Sequence, residues 1–279
     1  MDGRAIGVFD SGFGGLTVAR AIIDLLPSEH LVYVGDTGRY PYGPRPLDQV
    51  RSFARQITSK LLEEHDVKIV VVACNTAAAA GLDGLTGGRD VPILSVIEPG
   101  LRAALSATVG RKIGVIGTVG TISSGAYQNA MAVLDRSHEV ELVCAACPGF
   151  VEFVERGDVD SDQVYVLAER LLNPIREAKV DTLLLGCTHY PFLARTISDV
   201  VGRDVVLVSS ADETAFELRQ LLNNSGLVSG STQPGIHTWI SSGDVDTFRS
   251  LGRRLLGPEI DDVQAWHPEP LFPEESESP

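Results

Sequence analysis

Two short apolar segments of the chain each end in a cysteine that is followed by polar residues. Residues 69–76 read IVVVACNT, and residues 183–191 read LLLGCTHYP. A short apolar run bounded by small and polar residues is typical of a strand buried in a parallel sheet. The loop after such a strand lies at the carboxyl edge of the sheet, where α/β proteins bind their ligands. The two segments therefore predict two buried strands that each present a thiol at such an edge.

The first strand of the chain also has a counterpart later in the sequence. Residues 4–11 read RAIGVFDS, and the similar segment RKIGVIGT begins 107 residues later, at residue 111. The two cysteines, Cys74 and Cys187, are 113 residues apart. Similar offsets in the same order indicate duplicated α/β halves that face each other. A chance match between apolar strands is the alternative explanation.

Strands and helices alternate along the whole chain. Besides the strands already named, the hydrophobic pattern predicts strands at 31–34, 91–96, 140–144, 205–208 and 237–241. Helical spacing predicts helices at 16–26, 47–62, 124–134, 164–176, 192–200, 211–222 and 245–256, with another beginning at Ala77. This rhythm predicts an α/β fold in which parallel sheets carry helices on both faces.

Composition limits the classes of function. The formal net charge of −14 argues against a general affinity for nucleic acid. No apolar run approaches the roughly 20 residues of a membrane-spanning helix. Four cysteines are too few for a disulfide scaffold in 279 residues. Since the chain also begins without a charged leader, we expect a cytoplasmic protein.

The paired cysteines suggest proton transfer at carbon. A thiol has a reference pKa near 8.5, which nearby donors can lower. One thiolate can remove a proton from a carbon atom while a second thiol returns a proton from the opposite side. The alternative is that Cys74 and Cys187 are structural, since free cysteine is among the most buried residue types.

Two polar residues are candidates to assist these thiols. His189 follows Cys187 by two residues, and Asp10 ends the first strand, where it could assist Cys74. Either residue could instead be a cap or a satisfied polar group. The C-x-x-C pair at 144–147 could indicate zinc or redox chemistry, but the sequence has no second such pair. We therefore expect no metal site.

Four motifs together resemble those of glutamate racemases, within the wider aspartate/glutamate racemase group. They are DSGFGGL at 10–16, PYG at 41–43, CNT at 74–76 and GCTHYP at 186–191. The match runs in order from about residue 6 to beyond residue 205. The combination is far more specific than any single motif.

The resemblance implies a cofactor-independent racemase with two pseudo-symmetric α/β domains and the active site in the cleft between them. Cys74 and Cys187 would lie on opposite faces of the substrate α-carbon, with Asp10 and His189 as assisting groups. The implied substrate-binding residues are Asp10, Ser11, Tyr42, Gly43, Asn75, Thr76, Thr118, Thr121, Thr188 and His189, and Glu155 is a candidate helper acid. The family supplies D-glutamate for bacterial peptidoglycan.

The domain organisation follows from the repeat and the resemblance. Residues 1–97 and 208–266 are assigned to the first domain, 98–207 to the second, and 267–279 to an acidic tail rich in proline and glutamate. The expected partner is a small molecule, glutamate, with neither nucleic acid nor membrane. The sequence does not fix the oligomeric state, for which a homodimer is the candidate.

Three other functions stay open at this point. The nearest is a racemase for aspartate or another amino acid, or a related decarboxylase. A hydrolase with a single nucleophile would need only Cys187 and His189. A binding module without chemistry would need neither thiol. Exchange of the substrate α-proton separates the racemase from the last two.

Overall fold

A computed structural model of the chain describes residues 1–257 and 259–271. The strands are β1 (Ile6–Asp10), β2 (Leu31–Gly35), β3 (Ile69–Val72), β4 (Ile93–Ser95), β5 (Lys112–Gly117), β6 (Glu141–Ala146), β7 (Thr182–Gly186), β8 (Val206–Ser209), β9 (His237–Ser241) and β10 (Val263–Ala265). The helices are α1 (Leu16–Leu25), α2 (Leu47–Glu64), α3 (Asn75–Ala79), α4 (Ile97–Ala107), α5 (Val119–Ser123), α6 (Ala126–Leu134), α7 (Phe150–Arg156), α8 (Asp162–Leu171), α9 (Asn173–Ala178), α10 (Ala194–Val201), α11 (Ser210–Asn224) and α12 (Val245–Leu255), and a 3₁₀ helix spans Tyr190–Leu193. None of these helices is both long and apolar enough to cross a lipid bilayer.

The strands form two sheets with a shared topology. The first sheet has six strands in the order β10-β9-β2-β1-β3-β4, and the second has four in the order β6-β5-β7-β8. Every strand pairing in the described residues is parallel. The order β2-β1-β3-β4 in the first sheet matches β6-β5-β7-β8 in the second. This agrees with the internal repeat, and it places β3 and β7 at equivalent positions. The predicted α/β fold with two parallel sheets is confirmed, whereas the domain boundaries stay a prediction.

The core explains why the strands read as continuous apolar runs. Alternate residues of β3 and β7 point to opposite faces, and both faces are covered. A central apolar cluster contains Val72 from the first sheet and Leu184 from the second, together with Leu101 of α4. Separate clusters cover the outer faces of the two sheets. The shared central cluster fixes the two sheets against each other.

Several predicted element boundaries were wrong. The helix expected at 124–134 is α6, which begins at Ala126 because the chain turns at Gly125 with a φ of 72°. The single helix expected at 164–176 is α8 followed by α9, whose start contains Pro174, a residue without the backbone N–H that a continuous helix needs. The helix after β3 begins at Asn75 rather than Ala77. The elements α4, α5, α7 and β10 were not predicted.

The carboxyl-terminal segment closes the first sheet. β10 pairs with β9, and Trp266 N donates to Ser241 O at 2.8 Å. Residues 267–271 run over α2, where Gln56 Nε2 donates to Glu269 O at 2.9 Å. The rest of the predicted acidic tail, residues 272–279, lies outside the described residues.

A buried ion pair joins the start of β3 to the segment before β2. Lys68 Nζ contacts Glu29 Oε2, and their side chains are 0% and 2% exposed. Lys68 Nζ also donates to Asp2 O at 2.9 Å, and the other Glu29 oxygen accepts from Ser229 N at 2.7 Å. Removal of one partner would leave a buried charge without its counterion, which is strongly destabilising.

We expect Lys68→Met to lower the free energy of unfolding by about 3–5 kcal/mol, measured by urea denaturation with circular dichroism. The double variant Lys68→Met/Glu29→Leu should recover much of this loss, because no unpaired charge remains buried. Arg203→Ala removes an exposed pair with Asp199 and serves as the control with a nearly unchanged midpoint. A Lys68→Met variant as stable as the wild type would contradict this account.

Candidate active site

The two cysteines occupy equivalent positions in the two sheets. Cys74 lies two residues after β3, and Cys187 directly follows β7. Cys74 is the N-cap of α3, where its Sγ accepts from Ala77 N at 3.4 Å. The two residues are 5% and 7% exposed, and both line the same cavity. The fold thus brings two nearly buried thiols from different sheets to one space.

This cavity encloses about 620 Å³ of empty space, counting its open mouth. Most of the residues predicted from the sequence line its wall: Ser11, Tyr42, Gly43, Cys74, Asn75, Thr76, Thr118, Cys187, Thr188 and His189. The other three, Asp10, Thr121 and Glu155, lie behind this wall and contact residues that form it. The structure therefore assembles all the predicted residues around one site, in two layers.

Cys74 is held as a neutral thiol. Burial disfavours its thiolate, and the negative charge of Asp10 adds to this effect. Hydrogen bonds with Ala77 and Ser11 act in the opposite direction, and the Cys74 Sγ lies 3.6 Å from Ser11 Oγ. The net result raises the pKa of Cys74 to about 12. Cys74 is therefore a proton donor at neutral pH.

Cys187 lies beside a positively charged group, whereas Cys74 lies near a negatively charged one. Its Sγ lies 4.0 Å from His189 Nδ1, and His189 Nε2 lies 3.3 Å from Glu155 Oε1. Burial disfavours the imidazolium, but the interactions with Cys187, Glu155 and Asp10 outweigh burial and raise the pKa of His189 to about 10. His189 is therefore an imidazolium at neutral pH, and it provides a counterion for a thiolate at Cys187.

Asp10 connects the first sheet to the second at the cavity. Its carboxylate is fully buried, accepts from Gly12 N at 2.8 Å and accepts from Thr188 Oγ1 at 3.3 Å. Burial raises the pKa of Asp10, while the charge of His189 and these hydrogen bonds oppose that rise. The glycine-rich turn permits this approach, since a Cβ at Gly14 would overlap the side chains of Thr188 and His189.

Three threonines join the two halves on another side of the cavity. The hydroxyl oxygens of Thr76, Thr118 and Thr121 lie 2.9–3.1 Å from one another. Gly120 N donates to Gly43 O at 2.9 Å beside them. Thr121 is fully buried behind the other two, so its contact with a ligand would pass through Thr76 or Thr118.

Of two predicted binding residues, Tyr42 has its hydroxyl already bonded within the protein, whereas Asn75 has a buried amide donor without a described partner. The Tyr42 hydroxyl donates to the buried carboxylate of Asp36, so Tyr42 offers its ring and backbone to the cavity. Asn75 Oδ1 accepts from Tyr127 OH at 2.7 Å. Asn75 Nδ2 is buried and has no hydrogen-bond partner among the described residues. A buried amide donor on a cavity wall is suited to an anionic ligand.

Part of the cavity wall was not predicted from the sequence. Tyr40, Cys147, Gly149, Val151 and Glu152 also line the cavity. Tyr40 directly precedes the PYG motif, to which it is joined by a cis peptide bond, and this adjacency was an available signal. The others follow β6, and their position becomes evident only when β6 is known to lie beside β5.

The C-x-x-C residues do not face one another. Cys144 packs against the central apolar cluster, whereas Cys147 belongs to the cluster on the outer face of the second sheet. Cys147 N donates to Gly117 O at 2.9 Å, which fixes the turn after β6. Among the residues that the structure describes, no group of three or more His, Cys, Asp or Glu side chains could hold a metal ion.

The chain is similar to known proteins in sequence and in fold. The family described as Asp/Glu/hydantoin racemase matches residues 6–217. The glutamate racemase of Acidothermus cellulolyticus is 50% identical over 264 residues, which cover 94% of this chain and 99% of that protein. The crystal structure of glutamate racemase isoform RacE1 from Bacillus anthracis superposes with a TM-score of 0.88 at 40% identity, covering 96% of this chain and 98% of that one. The Francisella tularensis glutamate racemase in complex with D-glutamate gives a TM-score of 0.87 at 31% identity, covering 95% and 98%.

The raised pKa of Cys74 predicts its reactivity. Because burial raises the pKa of Cys74 to about 12, alkylation by iodoacetamide should accelerate about tenfold per pH unit up to about pH 10. The rate is measured by mass spectrometry of the peptide that contains Cys74, in protein without substrate. Glutathione in the same buffers is the control and should level off above about pH 9.5. A Cys74 rate that levels off below about pH 9 would show that its thiolate is stabilised, which would contradict the raised pKa.

Proposed function

The chain belongs to the Asp/Glu/hydantoin racemase family, and from this premise we propose that it interconverts L- and D-glutamate without a cofactor. The observation that carries this proposal is the pair of thiols, Cys74 and Cys187, which reach one cavity from equivalent strands of two sheets. The choice of glutamate is supported by the relatives described above. D-glutamate is the product that the family supplies for bacterial peptidoglycan. The cytoplasmic location and the homodimer stay predictions.

The proposed reaction uses one thiolate and one thiol. A thiolate at Cys187, beside the His189 imidazolium, removes the α-proton from one face of the substrate. The Cys74 thiol then gives its proton to the other face, which inverts the configuration. The products are the opposite enantiomer, a Cys187 thiol and a Cys74 thiolate. The reverse reaction starts from this second protonation state, so each cysteine acts as base in one direction and as acid in the other.

Neutral donors stabilise the charge that develops at the α-carbon. An amino-acid α-proton is weakly acidic, so its removal requires oriented hydrogen bonds in a site with little water. Asn75 Nδ2 is an unpartnered buried donor among the described residues, and the hydroxyls of Ser11, Thr76, Thr118 and Thr188 lie on the same wall. We assign these groups to the substrate carboxylates. In this proposal Asp10 assists Cys74, and Glu155 acts through His189.

The proposal predicts deuterium exchange coupled to racemisation. Incubation with L- or D-glutamate in D₂O should give loss of optical rotation and incorporation of deuterium at the α-carbon, followed by polarimetry and ¹H NMR. Cys74→Ser and Cys187→Ser should each lower racemisation by at least about 10²–10⁴-fold. Each variant should retain α-exchange with a different enantiomer, because one base remains on one face.

Cys144→Ser is the matched control, since Cys144 lies outside the residues that line the cavity, and it should racemise at the wild-type rate. Parallel reactions with aspartate test the substrate assignment. A wild-type protein without α-exchange would point to the hydrolase or the binding module. Full racemisation by either cavity variant would reject the roles of the two thiols.

Substitution of His189 and of Asp10 should raise the α-deuterium isotope effect with opposite enantiomers of glutamate. His189→Asn should make the Cys187 step slower, and Asp10→Asn should make the Cys74 step slower. Because enantiomers have equal free energy, kcat/KM must fall by the same factor in both directions for each variant. The α-deuterium isotope effect should therefore rise with one enantiomer in His189→Asn and with the other in Asp10→Asn. Equal isotope effects for both enantiomers in both variants would contradict the pairing of each residue with one thiol.

A further inference from the structure

Tyr127 crosses from the second half of the molecule to the first. It lies on α6, is 1% exposed, and its hydroxyl donates to Asn75 Oδ1 at 2.7 Å. Asn75 begins α3, directly after Cys74, and is 3% exposed. The hydrogen bond therefore joins a helix of the second half to the residue that follows a cavity thiol of the first.

This contact determines which end of the Asn75 amide faces the cavity. The amide has an acceptor end, Oδ1, and a donor end, Nδ2. With Oδ1 held by Tyr127, the remaining end is Nδ2, which is buried and unpaired among the described residues. A rotated amide would present its carbonyl oxygen to the cavity, where it would repel a carboxylate. The rotation would also leave the Tyr127 hydroxyl proton without a described acceptor, which is unfavourable for a buried group.

Strand β7 provides the space for the Tyr127 hydroxyl. A Cβ at Gly186 would lie 2.8 Å from Tyr127 OH and 2.7 Å from Ile116 O. Only glycine leaves room for the hydroxyl at this position, which directly precedes Cys187. Burial also raises the pKa of Tyr127, so the hydroxyl remains a neutral donor. The strand β7 therefore both leaves space for the Tyr127 hydroxyl and leads directly into Cys187.

We propose that Tyr127 is a positioning residue that orients the Asn75 amide so that Nδ2 donates to a carboxylate of the substrate. This inference rests on the proposed function, because it takes the ligand to be an amino acid with carboxylate groups. Tyr127 does not touch the substrate in this proposal and acts only through Asn75. Its effect should therefore appear in substrate binding more than in proton transfer.

The test is a double-mutant cycle between the two residues. Tyr127→Phe should raise KM for glutamate about 3- to 10-fold and change kcat by less than about twofold. Asn75→Ala should raise KM more, because it removes the donor itself. The double variant should be no worse than Asn75→Ala within about twofold, since Tyr127 has nothing left to orient. Glutamate binding by calorimetry gives the same cycle in Kd.

Thr196→Val is the matched control. Thr196 is 5% exposed, its hydroxyl donates to the main-chain Val159 O at 2.7 Å, and neither residue is among those that line the cavity. This variant should lower the melting temperature about as much as Tyr127→Phe and leave KM unchanged. An unchanged KM in Tyr127→Phe, or losses that add in the double variant, would overturn the inference. If the wild type binds glutamate without racemising it, the proposed function fails while the Kd cycle still decides the role of Tyr127. A wild type that does not bind glutamate would overturn both.

Discussion

The structure depends on the contact between the carboxyl edges of two parallel sheets. β3 and β7 occupy equivalent positions, so their ends can face each other across one cavity with a cysteine on each side. Hydrogen bonds hold the edges together at three places: between Asp10 and Thr188, among the three threonines, and between Tyr127 and Asn75. The Asp10–Thr188 and Tyr127–Asn75 bonds are buried, so a lost partner there would leave a polar group without water to replace it, whereas the Thr76–Thr118 bond is partly buried. The cavity is therefore defined by polar contacts, while the shared apolar cluster fixes the sheets behind it.

The two halves share a topology but differ in charge at the thiols. Asp10 lies near Cys74 and adds to the effect of burial, which favours the neutral thiol. His189 lies beside Cys187 and carries a positive charge at neutral pH, because its interactions there outweigh the cost of its burial. A reaction between enantiomers has no energetic preference for direction, so the chemistry does not require this asymmetry. What it requires is that one thiol holds a proton when the other lacks one, and opposite charges beside the two sulfur atoms favour that arrangement.

The sequence was sufficient for features that depend on local pattern. The apolar strands before Cys74 and Cys187 follow from the local pattern, because burial on both faces requires apolar residues at every position. The repeat and the parallel sheets follow from similar segments and from the alternation of strands and helices along the chain. The remaining features depend on contacts between distant segments. In the sequence, Tyr127 cannot be distinguished from any other helical residue, because its contacts with Gly186 and Asn75 depend on where α6 packs. Thr121, which the resemblance placed at the substrate, lies one layer behind Thr118. The residues after β6 reach the cavity only because β6 pairs with β5.

The hydrogen-bond donors on the cavity wall are mostly neutral amide and hydroxyl groups, which affects the protonation of the two thiols. Among the described residues that line the wall there is neither lysine nor arginine, although the chain carries a net charge of −14. A fixed cation near one thiol would stabilise its thiolate at all times and hold that cysteine in one protonation state. Amide and hydroxyl donors can instead bind carboxylates without a permanent bias toward either sulfur. His189 is the exception, and its charge is opposed by the buried carboxylate of Asp10, which is bonded to the neighbouring Thr188. In the proposed mechanism, the balance between these two buried groups, rather than the strength of either alone, gives the thiol pair access to both protonation states.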